Sequence, residues 1–191
     1  VVLGDGDTRV KVQETALPGV LLIQPDRFGD ARGFFSESWN RKRLLEFGIS
    51  IDFVQDNHSR SSYGVLRGLH YQYPTWQGKL VRVVSGSVFD VAVDIRKGSP
   101  SFGQWVGAEL SGDNYRQLYV PPGFAHGFCV LSDSADFLYK CTDYYAREHE
   151  RVIRWDDAEL GIAWPLVDGV ATVLSDKDLS GSSYAEAELF D

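Results

Sequence analysis

From residue 52 onward the chain is a series of short apolar runs separated by Gly, Asn, Asp, Ser and Pro. Within residues 88–95, the apolar side chains alternate with Asp90, Ala92 and Asp94. A period of two predicts a strand with one apolar and one polar face. Many such strands joined by short turns predict an all-β fold, an antiparallel sandwich or jelly-roll barrel rather than a parallel α/β fold.

The rest of the chain adds a few short elements to these strands. Residues 1–14 are expected to be a flexible or partner-contacting lead-in, with Gly and Asp alternating at 4–7. Residues 19–25 lie between two prolines and predict a strand, and residues 39–47 predict a short helix that ends at a glycine.

The C-terminal part is less periodic than the strands before it. Its last residues, YAEAELF, predict a short helix, and a tail of this kind is expected to pack on the sheet or on a partner subunit. Neither an internal repeat nor a linker is visible after residue 15. The chain is therefore predicted to be a single domain over residues 1–191.

Composition and charge narrow the function classes. With 43% hydrophobic and 24% charged residues, the chain resembles an ordinary globular protein. Its net charge of −8 argues against nucleic acid as a partner, but a small anionic ligand could bind where several Arg and Lys converge. No apolar run is long enough for a membrane span and no signal peptide is visible. Cys129 and Cys141 lie in apolar runs and are predicted to be buried thiols in a cytoplasmic protein.

Several common catalytic motifs are missing from the sequence. We find no glycine-rich nucleotide loop, no H-E-x-x-H, no C-x-x-C and no G-x-S-x-G. Two of the four histidines, His70 and His126, stand at the ends of apolar runs. Each could be a hydrogen-bonded core residue or a general base, since an imidazole has an unperturbed pKa of about 6.5. A metal site is disfavoured because Tyr71, Gln72 and Tyr73, rather than further ligands, follow His70.

Eight segments, in order from about residue 15 to the end, closely resemble the dTDP-4-dehydrorhamnose 3,5-epimerase family. They are FGDARGFFSE (28–37), QDNHS (55–59), GVLRGLHYQ (64–72), GKLVRV (78–83), VFDVAVD (88–94), GFAHGF (123–128), LYK (138–140) and LSDKD (174–178). The resemblance implies a cupin-like jelly roll with a few short helices, usually a homodimer, that needs no metal or organic cofactor. It further implies a dTDP-4-dehydro-6-deoxy-D-glucose substrate and epimerisation at C3 and C5 on the way to dTDP-L-rhamnose.

Epimerisation beside a ketone requires a base on one face of the ring, an acid on the other, and a donor for the enolate oxygen. The resemblance assigns these catalytic roles to four residues. His70 is the base and Asp178 orients it, Tyr139 is the acid, and Lys79 is the cation beside the C4 oxygen. From the sequence alone, Asp178 reads as a surface turn residue, Tyr139 as a strand aromatic and Lys79 as a solvated charge.

The same resemblance implies a set of residues that bind the nucleotide and sugar: Arg32, Glu37, Gln55, Asp56, Asn57, Arg67, His126, Tyr145, Glu150 and Lys177. Arg67 and His70 are three positions apart, so on a regular strand they would face opposite sides. Both can reach one pocket only if the strand is irregular, and we therefore predict a bulge at Gly68.

Three other functions remain open from the sequence. One is a 3-epimerase or 5-epimerase that acts on a related dTDP-keto-sugar. Another is a catalytically silent sugar-nucleotide-binding barrel, which the joint presence of His70, Tyr139, Lys79 and Asp178 argues against. The third is a metal-dependent cupin oxygenase.

Overall fold

The structure is a computed structural model that describes residues 2–3, 10–167 and 170–191. Its strands and helices, in chain order, are β1 (Val2–Leu3), β2 (Val10–Glu14), β3 (Leu21–Pro25), β4 (Phe28–Asp30), β5 (Gly33–Phe35), α1 (Arg41–Glu46), β6 (Gln55–Ser62), β7 (Leu66–Gln72), β8 (Lys79–Ser85), β9 (Ser87–Asp94), β10 (Trp105–Ser111), β11 (Gln117–Val120), β12 (Phe124–Val130), β13 (Ser134–Cys141), β14 (Glu150–Val152) and α2 (Asp176–Leu179). Two 3-10 turns, Arg147–His149 and Tyr184–Glu186, complete the set.

The strands form two large sheets and one hairpin. The large sheet has seven strands in the order β1-β2-β3-β11-β8-β13-β6, and the small sheet has five in the order β10-β9-β12-β7-β14. The hairpin joins β4 and β5. All pairings between these strands are antiparallel. The fold is the cupin-like jelly-roll sandwich that the sequence predicts.

Apolar side chains from both large sheets form the core between them. Val81 and Phe137 come from the large sheet, and Phe124 and Phe128 come from the small one. The burial of this apolar surface away from water contributes most of the free energy that holds the two sheets together. Phe128 and Phe137 stack with ring centroids 4.2 Å apart, so the two sheets are in direct contact here.

Strand β9 differs from the sequence prediction in one respect. Its alternation is real, but its polar face is not solvent-exposed, because Asp90 and Asp94 are both fully buried. The opposite, apolar face is also covered, by a cluster that includes Tyr184, Leu189 and Phe190 from the C-terminal tail. The tail thus packs on the sheet as predicted, and its predicted short helix is one 3-10 turn.

Part of the predicted lead-in forms a strand of the large sheet. Val10 and Val12, on β2, are buried beside Ile23 of β3. Residues 4–7 of the lead-in lie outside the described residues. The predicted helix is confirmed as α1: Asn40 caps its first turn by accepting a hydrogen bond from the backbone N–H of Arg43.

Two smaller predictions also have an outcome. Cys129 and Cys141 are both free and buried, as expected. No helix in the described part of the chain is long and apolar enough to span a membrane.

Candidate active site

A cavity of about 750 Å³ opens between the two sheets. Its walls come from β6, β8 and β13 of the large sheet, from β7 and β12 of the small sheet, and from the segment around α2. Eleven of the fourteen site residues expected from the sequence line it, namely Gln55, Asn57, Arg67, His70, Lys79, His126, Tyr139, Tyr145, Glu150, Lys177 and Asp178.

His70 and Asp178 form a hydrogen-bonded pair in this cavity. Nε2 of His70 lies 2.9 Å from Oδ1 of Asp178, a carboxylate whose side chain is only 3% exposed. Asp178 belongs to α2, and Ser175 caps this helix through a reciprocal capping box with Asp178. The backbone N–H of Gly68 also donates to Oδ1 of Asp178, at 3.0 Å. Asp178 is therefore held by both the strand and the helix.

These bonds set the protonation of the pair. Burial alone would raise the pKa of Asp178, but the hydrogen bonds from His70, Ser175 and the Gly68 N–H together hold that pKa well below its usual range. Asp178 is ionised at neutral pH and can only accept, so Nε2 of His70 carries the proton of their hydrogen bond. Nδ1 is then the basic nitrogen, and it has no hydrogen-bond partner among the described residues.

The predicted bulge at Gly68 is present. In the pairing of β12 with β7, His126 faces His70 and Phe128 faces Arg67. Two residue steps along β12 therefore oppose three along β7, so β7 has one extra residue here. Gly68 has a φ of +133°, a conformation that residues with a Cβ rarely adopt. The extra residue turns the strand, and Arg67 and His70 both line the cavity as a result.

Tyr139 and Lys79 approach the cavity from the large sheet. Tyr139 lies on β13, the sheet opposite to His70, and burial raises the pKa of its phenol, so the hydroxyl is protonated at neutral pH. Lys79 is buried, and its Nζ donates to the backbone carbonyl of His70 at 3.5 Å. Burial lowers the pKa of Lys79, and the charges of Asp90 and Glu150 oppose this shift.

Three side chains at the cavity wall bind one another. Glu150 accepts from Nζ of Lys177 at 2.6 Å and from the hydroxyl of Tyr145 at 2.8 Å. The other Glu150 oxygen lies 3.7 Å from Nδ1 of His70. Burial alone would raise the pKa of Glu150, but the bonds from Lys177 and Tyr145 keep it below its usual value. The cavity thus has an anion, Glu150, beside His70 and a cation, Lys177, at its more exposed edge.

Polar groups of β6 and β7 complete the wall. Gln55 and Asn57, on the same face of β6, are joined by a hydrogen bond of 3.0 Å. Arg67 donates to the hydroxyl of Ser61 at 3.2 Å. The guanidinium remains available for phosphate oxygens, which its planar fork of donors suits.

The other three expected residues do not line the cavity in this chain. Arg32 pairs with Asp30 in the β4–β5 hairpin, with 89% of its side chain exposed. Glu37 pairs with Arg43 of α1 at 2.7 Å. Asp56 faces the other side of β6, as the two-residue period of a strand requires. Their predicted contacts with substrate stay predictions.

The sequence did not single out two residues of the site. Ser175 fixes Asp178 through the capping box, and Asp90 binds the ring of His126. An S-x-x-D pattern ahead of a short helix could have indicated Ser175. Asp90, a carboxylate inside a strand with apolar neighbours, could have been recognised as a buried charge that needs a partner. No cluster of three or more metal-ligating side chains occurs within the described residues.

Comparisons with known proteins agree with this geometry. Residues 14–186 match the family described as dTDP-4-dehydrorhamnose 3,5-epimerase. The Pseudomonas aeruginosa enzyme of that name is 58% identical over 182 residues, covering 95% of this chain and 99% of its own. The crystal structure of the Legionella pneumophila dTDP-6-deoxy-D-glucose-3,5-epimerase in complex with dTDP-4-keto-L-rhamnose superposes with a TM-score of 0.91 at 54% identity, covering 94% of this chain and 95% of that one. More distant is a 3′-monoepimerase from Streptomyces bikiniensis in complex with dTDP-quinovose, with a TM-score of 0.82 at 32% identity over 90% of this chain and 86% of that one.

The jelly-roll fold and these matches define an isomerase of the cupin-like sugar epimerase class. Within that class, the chain belongs to the dTDP-4-dehydrorhamnose 3,5-epimerase family.

Proposed function

We propose that this protein inverts C3 and C5 of dTDP-4-dehydro-6-deoxy-D-glucose to give dTDP-4-dehydro-L-rhamnose, a step of dTDP-L-rhamnose biosynthesis. One observation carries the proposal. His70, anchored by Asp178, and Tyr139 lie on opposite sheets and line the same cavity. A ring bound between them has a base on one face and an acid on the other, which inversion of a carbon centre requires.

The chemistry uses the ketone at C4. C3 and C5 both flank this ketone, so removing the proton from either carbon gives an enolate. Nδ1 of His70 accepts that proton, and the ionised Asp178 stabilises the imidazolium that forms. Tyr139 then donates its hydroxyl proton to the same carbon from the opposite face, and the centre is inverted. The Lys79 ammonium stabilises the negative charge on the enolate oxygen.

The other residues that line the cavity are suited to binding a nucleoside diphosphate. Arg67 and Lys177 supply positive charge for the pyrophosphate, although the chain as a whole has a net charge of −8. Tyr145, which is 51% exposed, offers a ring on which thymine can stack. Gln55 and Asn57 offer amides to the base or sugar. Arg32, Glu37 and Asp56 remain proposed contacts on the strength of the family resemblance alone.

The test is incubation with dTDP-4-dehydro-6-deoxy-D-glucose in D2O, followed by NMR. We expect deuterium at both C3 and C5. Deuterium at only one carbon would identify a single epimerase like the 3′-monoepimerase relative. With none at either carbon, the protein would instead be a silent sugar-nucleotide-binding barrel. Metal analysis of the active protein tests the cupin oxygenase alternative, since a metal that is needed for activity would contradict the cofactor-free mechanism.

We also propose that the protein acts as a homodimer in the cytoplasm, with no nucleic acid or membrane as a partner. Its two buried free thiols are compatible with a reducing compartment. Light scattering of the purified protein tests the dimer, because a monomeric mass at working concentration would contradict it.

A further inference from the structure

A second histidine–carboxylate pair lies beside His70. Nε2 of His126 is 3.0 Å from both oxygens of Asp90. His126 is on β12 and Asp90 is on the neighbouring strand β9. His126 faces His70 directly in the pairing of β12 with β7, so the two imidazoles are adjacent on one wall of the cavity. Each has its Nε2 bound to a buried aspartate.

The hydrogen-bond pattern fixes the tautomer of His126. Both oxygens of Asp90 lie 3.0 Å from the same ring nitrogen, which is the arrangement of one N–H shared by two acceptor oxygens, so Nε2 carries the hydrogen and Nδ1 keeps a lone pair. Burial lowers the pKa of His126, which keeps the ring neutral at pH 7. Burial also raises the pKa of Asp90, and His126 and the charge of Lys79 offset only part of that rise.

We propose that Asp90 is a positioning residue for the reaction. By holding the Nε2–H of His126, it makes Nδ1 of that ring an acceptor for a hydroxyl of the sugar, next to His70. This inference rests on the function proposed above and adds to it a residue that the family motifs did not assign.

The arrangement has two consequences for catalysis. First, a hydroxyl that donates to His126 Nδ1 fixes the rotation of the sugar and places its acidic carbon against His70. Second, a neutral His126 adds no positive charge beside His70 when that ring takes up a proton. With Asn at position 90, the side-chain amide can donate to Nε2, which moves the hydrogen of His126 to Nδ1 and turns the acceptor into a donor.

The chain offers a matched control for this substitution. Asp94 is also on β9 and is also fully buried. It accepts hydrogen bonds from Arg96, Ser99 and Ser101, away from the cavity. Asp94→Asn therefore removes a buried charge from the same strand without touching His126, and it reports the purely structural cost.

The first experiment compares Asp90→Asn with Asp94→Asn at equal concentrations of folded protein. We expect kcat to fall about tenfold to a hundredfold in Asp90→Asn and to stay at the wild-type level in Asp94→Asn. An unchanged kcat in Asp90→Asn, or the same loss in both variants, would overturn the proposal, because Asp90 would then have a structural role only.

The second experiment uses His126→Gln, whose amide presents an acceptor and a donor without any tautomer. If Asp90 acts through His126, adding Asp90→Asn to His126→Gln causes little further loss of kcat, whereas additive losses contradict the proposal.

The third experiment uses the unmodified protein, so it does not depend on how the variants fold. 15N NMR of the histidine side chains, with His126 assigned by its absence in His126→Gln, should show the hydrogen on Nε2 of His126. Hydrogen on Nδ1 would overturn the inference even if the enzyme is active. Conversely, the expected tautomer in a protein that exchanges no deuterium would refute the proposed function and leave the hydrogen-bond assignment intact.

Discussion

Gly68 and Gly127 meet across strands β7 and β12 so closely that a Cβ on Gly68 would lie 2.6 Å from the Cα of Gly127. This contact sits at the bulge, between Arg67 and His70. The glycine at position 68 lets the two strands approach each other, and it allows the φ of +133° that the turn of β7 requires. The direction of His70 thus depends on a pair of residues that have no side chain.

Gly68→Ala should destabilise the protein by at least about 1–3 kcal/mol, since the methyl group meets backbone and the φ is strained. Urea unfolding measures the change. Gly98→Ala is the matched control, because a Cβ there has no neighbour within 4 Å. Equal stability of the two variants would contradict the steric argument.

His70→Asn should abolish deuterium exchange at both C3 and C5, because one base serves both carbons.

Tyr139→Phe should preserve exchange better than net inversion, since proton removal survives while delivery from the opposite face is lost. NMR of the products in D2O separates the two effects. His58→Asn is the control: His58 pairs with Asp136 and does not line the cavity. Full activity of His70→Asn would refute the base assignment.

Asp178 should make the stability of the fold dependent on pH. Its pKa is lower in the folded protein than the value of 3.8 for a free side chain, so the unfolded chain binds more protons in the acid range. The stabilisation that the ionised Asp178 gives to the fold is fully present above pH 3.8, and it is lost as the pH falls from there towards the lower pKa of the folded protein. Urea unfolding from pH 7 to pH 3 should therefore show the wild type losing stability faster than Asp178→Asn. Parallel curves would contradict this.

Lys177→Gln should weaken the binding of dTDP about tenfold, which corresponds to the loss of one hydrogen bond to a charged group. In the structure its ammonium pairs with Glu150, so the proposed contact with phosphate would replace part of that ion pair. Calorimetric titration measures the affinity. Lys97→Gln removes an exposed lysine that pairs with Asp191 outside the cavity, and it should bind as the wild type does. Equal affinity of all three proteins would remove Lys177 from the binding site.

Much of the fold could be predicted from local pattern. The two-residue alternation correctly indicated strand β9, and the odd spacing of Arg67 and His70 indicated the bulge at Gly68. The same alternation did not reveal that Asp90 is buried, because a strand pattern separates two faces without saying what covers each of them. Here the polar face of β9 lies between the sheets, where its carboxylate meets His126.

The site could be assembled from the sequence only through the family resemblance. No local rule connects His70 with Asp178, because the contact depends on how the C-terminal segment returns to β7. The β4–β5 hairpin is a second place where the sequence pattern does not indicate the burial that the structure shows. Phe34 and Phe35 are 54% and 64% exposed there, although aromatic residues usually predict a core position.

The return of the C-terminal segment also sets an order of events while the protein is being synthesised. Both halves of the sandwich, with His70, Lys79 and Tyr139, leave the ribosome before Asp178 does. Until α2 packs against β7, Nε2 of His70 lacks the carboxylate that accepts its hydrogen. A chain interrupted before α2 would carry His70, Lys79 and Tyr139 without the carboxylate that binds Nε2, and under the proposed mechanism we expect it to be inactive.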